Sequence, residues 1–271
     1  MTVENNLPFD PVHIFECGQC FRWNADSDGV YTGIADGRVC RVCGREIICD
    51  KADEEYFKNY FALDTDYGEI CAFLEKCDEK IKPCTKFGCG IRILKQNLWE
   101  TVVSFIISAN NNIPRIKKII ENMCSMFGNE ILFEGKKYYS FPSADALAKL
   151  EPVDLAPLKA GYRDKYIIDA ARKVASGEVN LSEVCDMSDK DAKKALMKIK
   201  GVGGKVADCI MLFSLGRFSV FPTDVWIKRI LTCQYGVEDK EIQAFVANKY
   251  GKYAGFAQQY LYYYYRSNPE I

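Results

Sequence analysis

No apolar run in the sequence reaches the roughly 18 residues that a membrane-spanning helix needs. The opening MTVENNLPFD has no basic segment followed by an apolar stretch, so no secretory signal is expected. A cytoplasmic location follows from that, associated with the nucleoid if the source is prokaryotic. An excess of one charge is missing too. The formal net charge is -1, which excludes a uniformly basic nucleic-acid binder but leaves room for a locally basic face. Histidine is nearly absent, with His13 the only one. There is no internal repeat and no low-complexity stretch. What is present is ordinary globular composition: 48% apolar and 27% charged residues over 271 positions, enough for one large domain or two small ones. Thirteen cysteines, an odd number without a secretion signal, imply a reducing compartment and mostly free thiols.

The first fifty residues read as short strands. Phe21 to Trp23, Val30 to Ile34, Val39 to Cys43 and Glu46 to Cys49 are rich in β-branched and aromatic residues and separated by turns such as Asp36-Gly37. This pattern predicts an antiparallel meander. From about Asp53 the apolar period becomes helical, and nearly everything after residue 92 reads as helix. The fold class is therefore α+β and mainly α, with a sheet and flanking helices over 1–92 and a helical part over 93–271.

Basic residues cluster in three places. Lys193 to Lys205 holds five lysines and no acid. Lys159, Arg163, Lys165, Arg172 and Lys173 form a second group, and Arg115, Lys117 and Lys118 a third. Either these are solvated helix faces or they form a surface that tracks phosphate.

The segment Ser188 to Gly216 is the most informative. Ser188 is placed to cap a helix, Lys200-Gly201-Val202-Gly203-Gly204-Lys205 follows, and a second apolar helix runs over 206–215 to Gly216. Three glycines in four residues permit a tight hairpin and let backbone N–H groups approach an anion at a helix N-terminus. A P-loop is excluded, because GxxxxGK[ST] is not matched and no strand precedes it. Further on, Phe221-Pro222-Thr223-Asp224-Val225-Trp226 opens another helix, predicted over Val225 to Tyr235, with Asp224 in position to cap it.

The hairpin Ile199 to Cys209 followed by a Pro-x-Asp loop resembles the helix–hairpin–helix–GPD DNA glycosylases. The similarity is greatest to the 8-oxoguanine DNA glycosylases. Four further segments carry it: Gly18-Gln19-Cys20-Phe21-Arg22-Trp23, Ser108 to Ile113, Gly161-Tyr162-Arg163, and Tyr253 to Gln258. The resemblance covers about 15–265 and makes the helical part a helix–hairpin–helix–GPD domain, with the C-terminal helix packing back toward the N-terminal part. It implies a bifunctional glycosylase and lyase in which Lys205 is the nucleophile, attacking the sugar and forming a Schiff base that permits β-elimination. It implies that Asp224 stabilises positive charge on the sugar. Lys205 also begins a helix beside other cations, which predicts a lowered ammonium pKa. The Gly18 carbonyl is implied to accept the N7 hydrogen that 8-oxoguanine has and guanine lacks. Gln258 would read the Watson–Crick edge, with Cys209 and Tyr262 on the two base faces. Asn110 would fill the gap left by the extruded base, Arg115 and Arg163 would read the opposite cytosine, and Tyr162 would be the wedge. The N–H groups of Gly201, Gly203 and Val206 would face phosphate. The implied partner is double-stranded DNA carrying 8-oxoguanine, with no membrane, and the protein a monomer. No cofactor is implied beyond a potassium or sodium ion at the hairpin when DNA is bound. Two departures stand out: Tyr262 where the family usually has phenylalanine, and Trp226 where it often has a histidine near phosphate.

Other readings compete. Cys17-Gly-Gln-Cys20 and Cys40-Arg-Val-Cys43 have zinc-ribbon spacing. Against zinc, the odd offset in a strand points Cys40 and Cys43 to opposite faces, and Gly18 lies inside the first pair. An iron–sulfur cluster is disfavoured because only Cys233 follows Asp224. A non-catalytic DNA-binding module would not need Lys205, Asp224 and Gln258 together. The Gly18 segment argues against a glycosylase for another damaged purine.

Overall fold

The computed structural model describes residues 1–269. Asp10 caps the first helix, α1 (Pro11–Phe15), accepting from the N–H of Val12 at 2.9 Å. The chain then forms β1 (Trp23–Ala25), β2 (Tyr31–Ala35), β3 (Arg38–Cys43) and β4 (Glu46–Cys49), an antiparallel meander in that order. The first strand starts two residues later than the sequence pattern predicts. Trp23 pairs with Gly33, and its ring occupies the space a side chain there would need: a Cβ on Gly33 would lie 2.1 Å from it. That indole stacks on Phe15 with centroids 4.1 Å apart.

Four helices, α2 (Glu54–Tyr60), α3 (Tyr67–Cys77), α4 (Lys82–Phe87) and α5 (Leu98–Ser108), lead out of the sheet. Asn97 caps α5, and Asn112 caps α6 (Ile113–Phe127), whose first turn carries Pro114. The reading of nearly everything beyond residue 92 as helix holds with one exception. Strands β5 (Glu130–Phe133) and β6 (Lys136–Tyr139) form a hairpin closed by Glu134 and Gly135, both at positive φ. Its strands are four residues each, too short to interrupt a helical period convincingly. The hairpin docks on the first sheet, Phe133 joining Ile34 and Val39 in a small core.

The remaining helices are α7 (Ala144–Ala148), α8 (Arg163–Ala175), α9 (Leu181–Asp186), α10 (Asp189–Leu196), α11 (Gly204–Leu215), α12 (Val225–Tyr235), α13 (Ile242–Tyr250) and α14 (Ala254–Ser267). Ser188 caps α10 as its sequence implies, and α12 has the predicted bounds.

Besides that small core, two larger apolar cores hold the molecule. One fills the N-terminal sheet with Phe15, Trp23 and Phe61; the larger one runs through the helices and takes in Ile70 and Leu74 of α3. The segment around Gly18 straddles them, with Cys17 and Phe21 in the larger core and Cys20 and Trp23 in the smaller. Helix α14 packs against α4. All thirteen cysteines are free. Cys40 is fully buried and Cys43 exposed on β3, and no group of three or more metal-ligating side chains converges among the described residues. No described helix is long and apolar enough to cross a membrane.

Candidate active site

The hairpin between α10 and α11 turns at Gly201, whose φ is +86°. Gly203 stands at the N-cap of α11 without a capping side chain. The N–H groups of Gly201, Gly203 and Val206 consequently find no acceptor among the described residues, which leaves them available to an anion. The lysines nearby are less free than their number suggests. Lys193 pairs with Asp208 at 2.8 Å, and Lys200 lies 3.7 Å from Asp169.

Lys205 follows in the first turn of α11 and points into a cavity of about 540 Å³. Asp224, at the N-cap of α12, lines the same cavity. Its Oδ1 accepts from the Ile227 N–H at 2.9 Å, so the predicted cap forms. Gly18, Asn110, Val206 and Tyr262 complete the predicted part of the wall. Sequence reasoning missed Phe105, whose ring lies 5.8 Å below the Lys205 Nζ, and gave Trp226 no place in the cavity it lines. Trp226 and Val225 are exposed apolar side chains on a rim, a signal that needed the structure to be seen.

Cys209, one turn on from Lys205, is buried, and the two side chains influence each other's ionisation. Burial pushes the thiol up to about 11, the lysine acting against it. Burial also pulls the Lys205 ammonium down, but Cys209, Asp224 and Tyr262 pull it up, and the net direction is upward. The expectation of a lowered pKa is thus corrected: partners contributed by α11, α12 and α14 outweigh burial and the helix terminus. Gln258 does not line the cavity; it is buried, and its Oε1 has no partner among the described residues. Such an orphan acceptor is costly unless a ligand satisfies it.

A second group forms one rim. Asn110 adopts φ +50°, uncommon outside glycine, at the loop between α5 and α6. Arg163 is only 3% exposed and holds that loop, donating to the carbonyls of Ala109 at 2.6 Å and Asn110 at 2.8 Å. Arg115 is at the surface and donates to the Lys159 carbonyl at 3.0 Å, beside a separate cavity of about 350 Å³. Tyr162 is 52% exposed, with the Arg163 guanidinium 4.5 Å over its ring.

Around Gly18 the backbone is tied down on both sides. Gln19 is fully buried; its Nε2 donates to the carbonyls of Ile14 and Arg92, and its Oε1 accepts from Leu94. The Gly18 carbonyl itself receives no hydrogen bond among the described residues.

Two family models match this chain in succession. "8-oxoguanine DNA glycosylase, N-terminal domain" covers residues 2–102, and "HhH-GPD superfamily base excision DNA repair protein" covers residues 103–251. The chain belongs to the 8-oxoguanine DNA glycosylase family. It is an enzyme of base excision repair, a DNA glycosylase that is also a lyase. The N-glycosylase/DNA lyase of Saccharomyces cerevisiae is 33% identical over 81% of this chain and 67% of its own length. The Clostridium acetobutylicum 8-oxoguanine glycosylase/lyase, solved with double-stranded DNA containing cytosine opposite 8-oxoG, is 41% identical. Its TM-score is 0.90 over 96% of this chain and 93% of that one. A structure of MBOgg1 with a low-affinity DNA ligand is 47% identical, with a TM-score of 0.92 over 97% of this chain and 94% of that one.

Proposed function

We propose that this enzyme excises 8-oxoguanine from duplex DNA, preferring cytosine opposite, by taking the damaged nucleotide into the cavity and displacing its base with the Lys205 amine. The observation that carries this reading is the meeting of Lys205 and Asp224 with the Gly18 strap and Tyr262 around one cavity. The neutral amine attacks the anomeric carbon, the base leaves with the bonding electrons and takes up a proton, and the amine sheds one proton; the sugar's ring C–O bond then breaks, its oxygen taking a proton, and leaves the iminium. A proton then leaves the carbon next to the iminium, and β-elimination breaks the strand. Asp224 faces the sugar as positive charge develops, while Oδ1 still caps α12.

The Gly18 carbonyl accepts the N7 hydrogen of 8-oxoguanine, whereas guanine would set acceptor against acceptor, costing roughly 1–3 kcal/mol. Gln258 offers its unpaired Oε1 to the Watson–Crick edge. Cys209 packs one face of the base and Tyr262 stacks on the other. Asn110 fills the vacated stack and Tyr162 wedges beside it. Arg115 and Arg163 read the opposite cytosine. The free N–H groups of Gly201, Gly203 and Val206 hold phosphate. The chemistry needs no cofactor. The carbonyls of Lys200, Gly201 and Val202 accept nothing among the described residues, which fits a potassium or sodium ion there, screening the phosphate charge.

Strand cleavage of duplexes with 8-oxoguanine opposite each of the four bases, with borohydride trapping alongside, tests this. A trapped covalent adduct and fastest cleavage opposite cytosine are expected. Binding without trapping would reduce the protein to a DNA-binding module. Trapping only on an alkylated purine would move it to another lesion.

A further inference from the structure

The Gly18 strap is clamped by a helix more than two hundred residues away in sequence. Gln259 of α14 is 2% exposed, and its Nε2 donates to the Cys17 carbonyl at 3.0 Å. Arg266, two turns further along α14, donates from Nη2 to the Glu16 carbonyl. On the other side Gln96 donates to the Gln19 carbonyl at 2.8 Å. The carbonyls of residues 16, 17 and 19 are thus each held by a side chain, and that of Gly18 alone is left without a donor among the described residues. Arg266 also fixes what surrounds that carbonyl. Its guanidinium lies 5.4 Å over the Tyr262 ring, and a Cβ on Gly18 would meet its Nη1 at 3.0 Å and the Tyr262 ring at 3.4 Å. Gly18 is at φ +86°, so the strap is pinned in a conformation that suits glycine and has no space for a side chain.

We propose that Gln259 and Arg266 are positioning residues that set lesion selectivity by aiming the Gly18 carbonyl. This rests on the reading that the Gly18 carbonyl accepts the N7 hydrogen. A one-atom difference between bases is detected only if the acceptor cannot swing aside. The peptide plane that carries the Gly18 oxygen lies between the Cys17 and Gln19 carbonyls, and with both of those held it has little freedom to rotate. Releasing the Cys17 or Glu16 carbonyl lets the strap relax, so that guanine escapes its acceptor clash and 8-oxoguanine loses a preformed partner.

The test compares wild type with Gln259→Met and Arg266→Met, each of similar length and without the donor. Single-turnover excision is measured from an 8-oxoguanine:cytosine duplex, cleavage at an abasic site opposite cytosine, and binding to the matching guanine duplex. Both variants are expected to lose about tenfold in excision and in the preference for binding the lesion over guanine, with abasic cleavage within about twofold of wild type. Equal loss on both substrates, or unchanged selectivity, would overturn the proposal. If Gln259→Met does not fold, the partly buried Arg266 carries the test alone. A wild-type enzyme that does not distinguish 8-oxoguanine from guanine would instead refute the Gly18 reading.

Discussion

Lys205 combines two demands on one side chain. Its ammonium is held up by Cys209, Asp224 and Tyr262, whereas the proposed attack needs the neutral amine. Because those neighbours hold its ammonium above the ordinary lysine range, free amine is scarce at neutral pH. The rate of borohydride trapping should therefore climb steadily from pH 6 to pH 9, by up to about tenfold per unit while the ammonium dominates. A flat profile over that range would mean that deprotonation does not limit attack. Lys205→Gln should abolish excision and trapping yet leave lesion binding within about tenfold, since the phosphate contacts come from backbone N–H groups and other lysines. Loss of binding together with a lower melting temperature would make Lys205 structural. Gln258→Ala should weaken excision of 8-oxoguanine but spare abasic-site cleavage, because an abasic site offers Gln258 no base. Parallel losses in the two assays would end its assignment as a base reader.

At the scale of elements, the rim built from the α5–α6 loop and the start of α8 separates two arginines that sequence treats alike. Arg163 is buried and ties the Ala109 and Asn110 carbonyls to α8; Arg115 sits at the surface with one carbonyl partner. Replacing both with alanine should flatten the preference for opposite cytosine, each good base contact carrying about 1–3 kcal/mol of discrimination. The stability effects should diverge. Arg163→Ala removes a buried guanidinium and leaves the Ala109, Asn110 and Ala160 carbonyls without its donors, and should cost roughly 1–3 kcal/mol, whereas Arg115→Ala should change stability by about 0.5 kcal/mol or less. Denaturant titration of the single variants checks this, and equal effects would contradict the buried placement. The rim was partly legible in the sequence: the Asn110 and Gly161-Tyr162-Arg163 segments were recognisable, but burial of one arginine depends on how α5 and α8 pack.

At the scale of the whole molecule, an ionisable carboxyl oxygen and part of a guanidinium lie buried without partners among the described residues. Glu100, in the first turn of α5, has its Oε2 buried without a partner, as are Nε and Nη1 of Arg22 four residues beyond Gly18. Burial pushes the Glu100 carboxyl up from 4.5 to about 7, with Arg22 acting against it. A raised folded-state pKa means that the native protein keeps a proton the unfolded chain releases. The cost of ionising Glu100 accordingly appears as pH rises above about 4.5 and is complete above about 7. Glu100→Gln should match wild type in stability near pH 4.5 and exceed it at pH 8 by on the order of 1–3 kcal/mol. Urea unfolding at the two pH values measures this, and a variant less stable than wild type at pH 8 would show that the charge pairs favourably with Arg22.

The sequence by itself determined the elements whose signals are local. The meander needs only alternating short strands and turn residues. The hairpin, the Asp224 cap and the bounds of α12 need only glycines, an N-cap and an apolar period, all contiguous in the chain. Lys205 and Asp224 stood out through the family resemblance that those contiguous segments carry. Tertiary structure alone decided what depends on distant partners. It turned the Lys205 shift upward, because Cys209, Asp224 and Tyr262 converge on it from three helices. It also consumed part of the lysine cluster in the Lys193–Asp208 pair and placed a docked hairpin at 130–139 within a region that reads mainly as helix. Most of all, it brought Gln259 and Arg266 against the Gly18 strap. A hydrogen bond from α14 to residue 16 or 17 leaves no trace in either stretch of sequence, since its geometry exists only once both cores have closed.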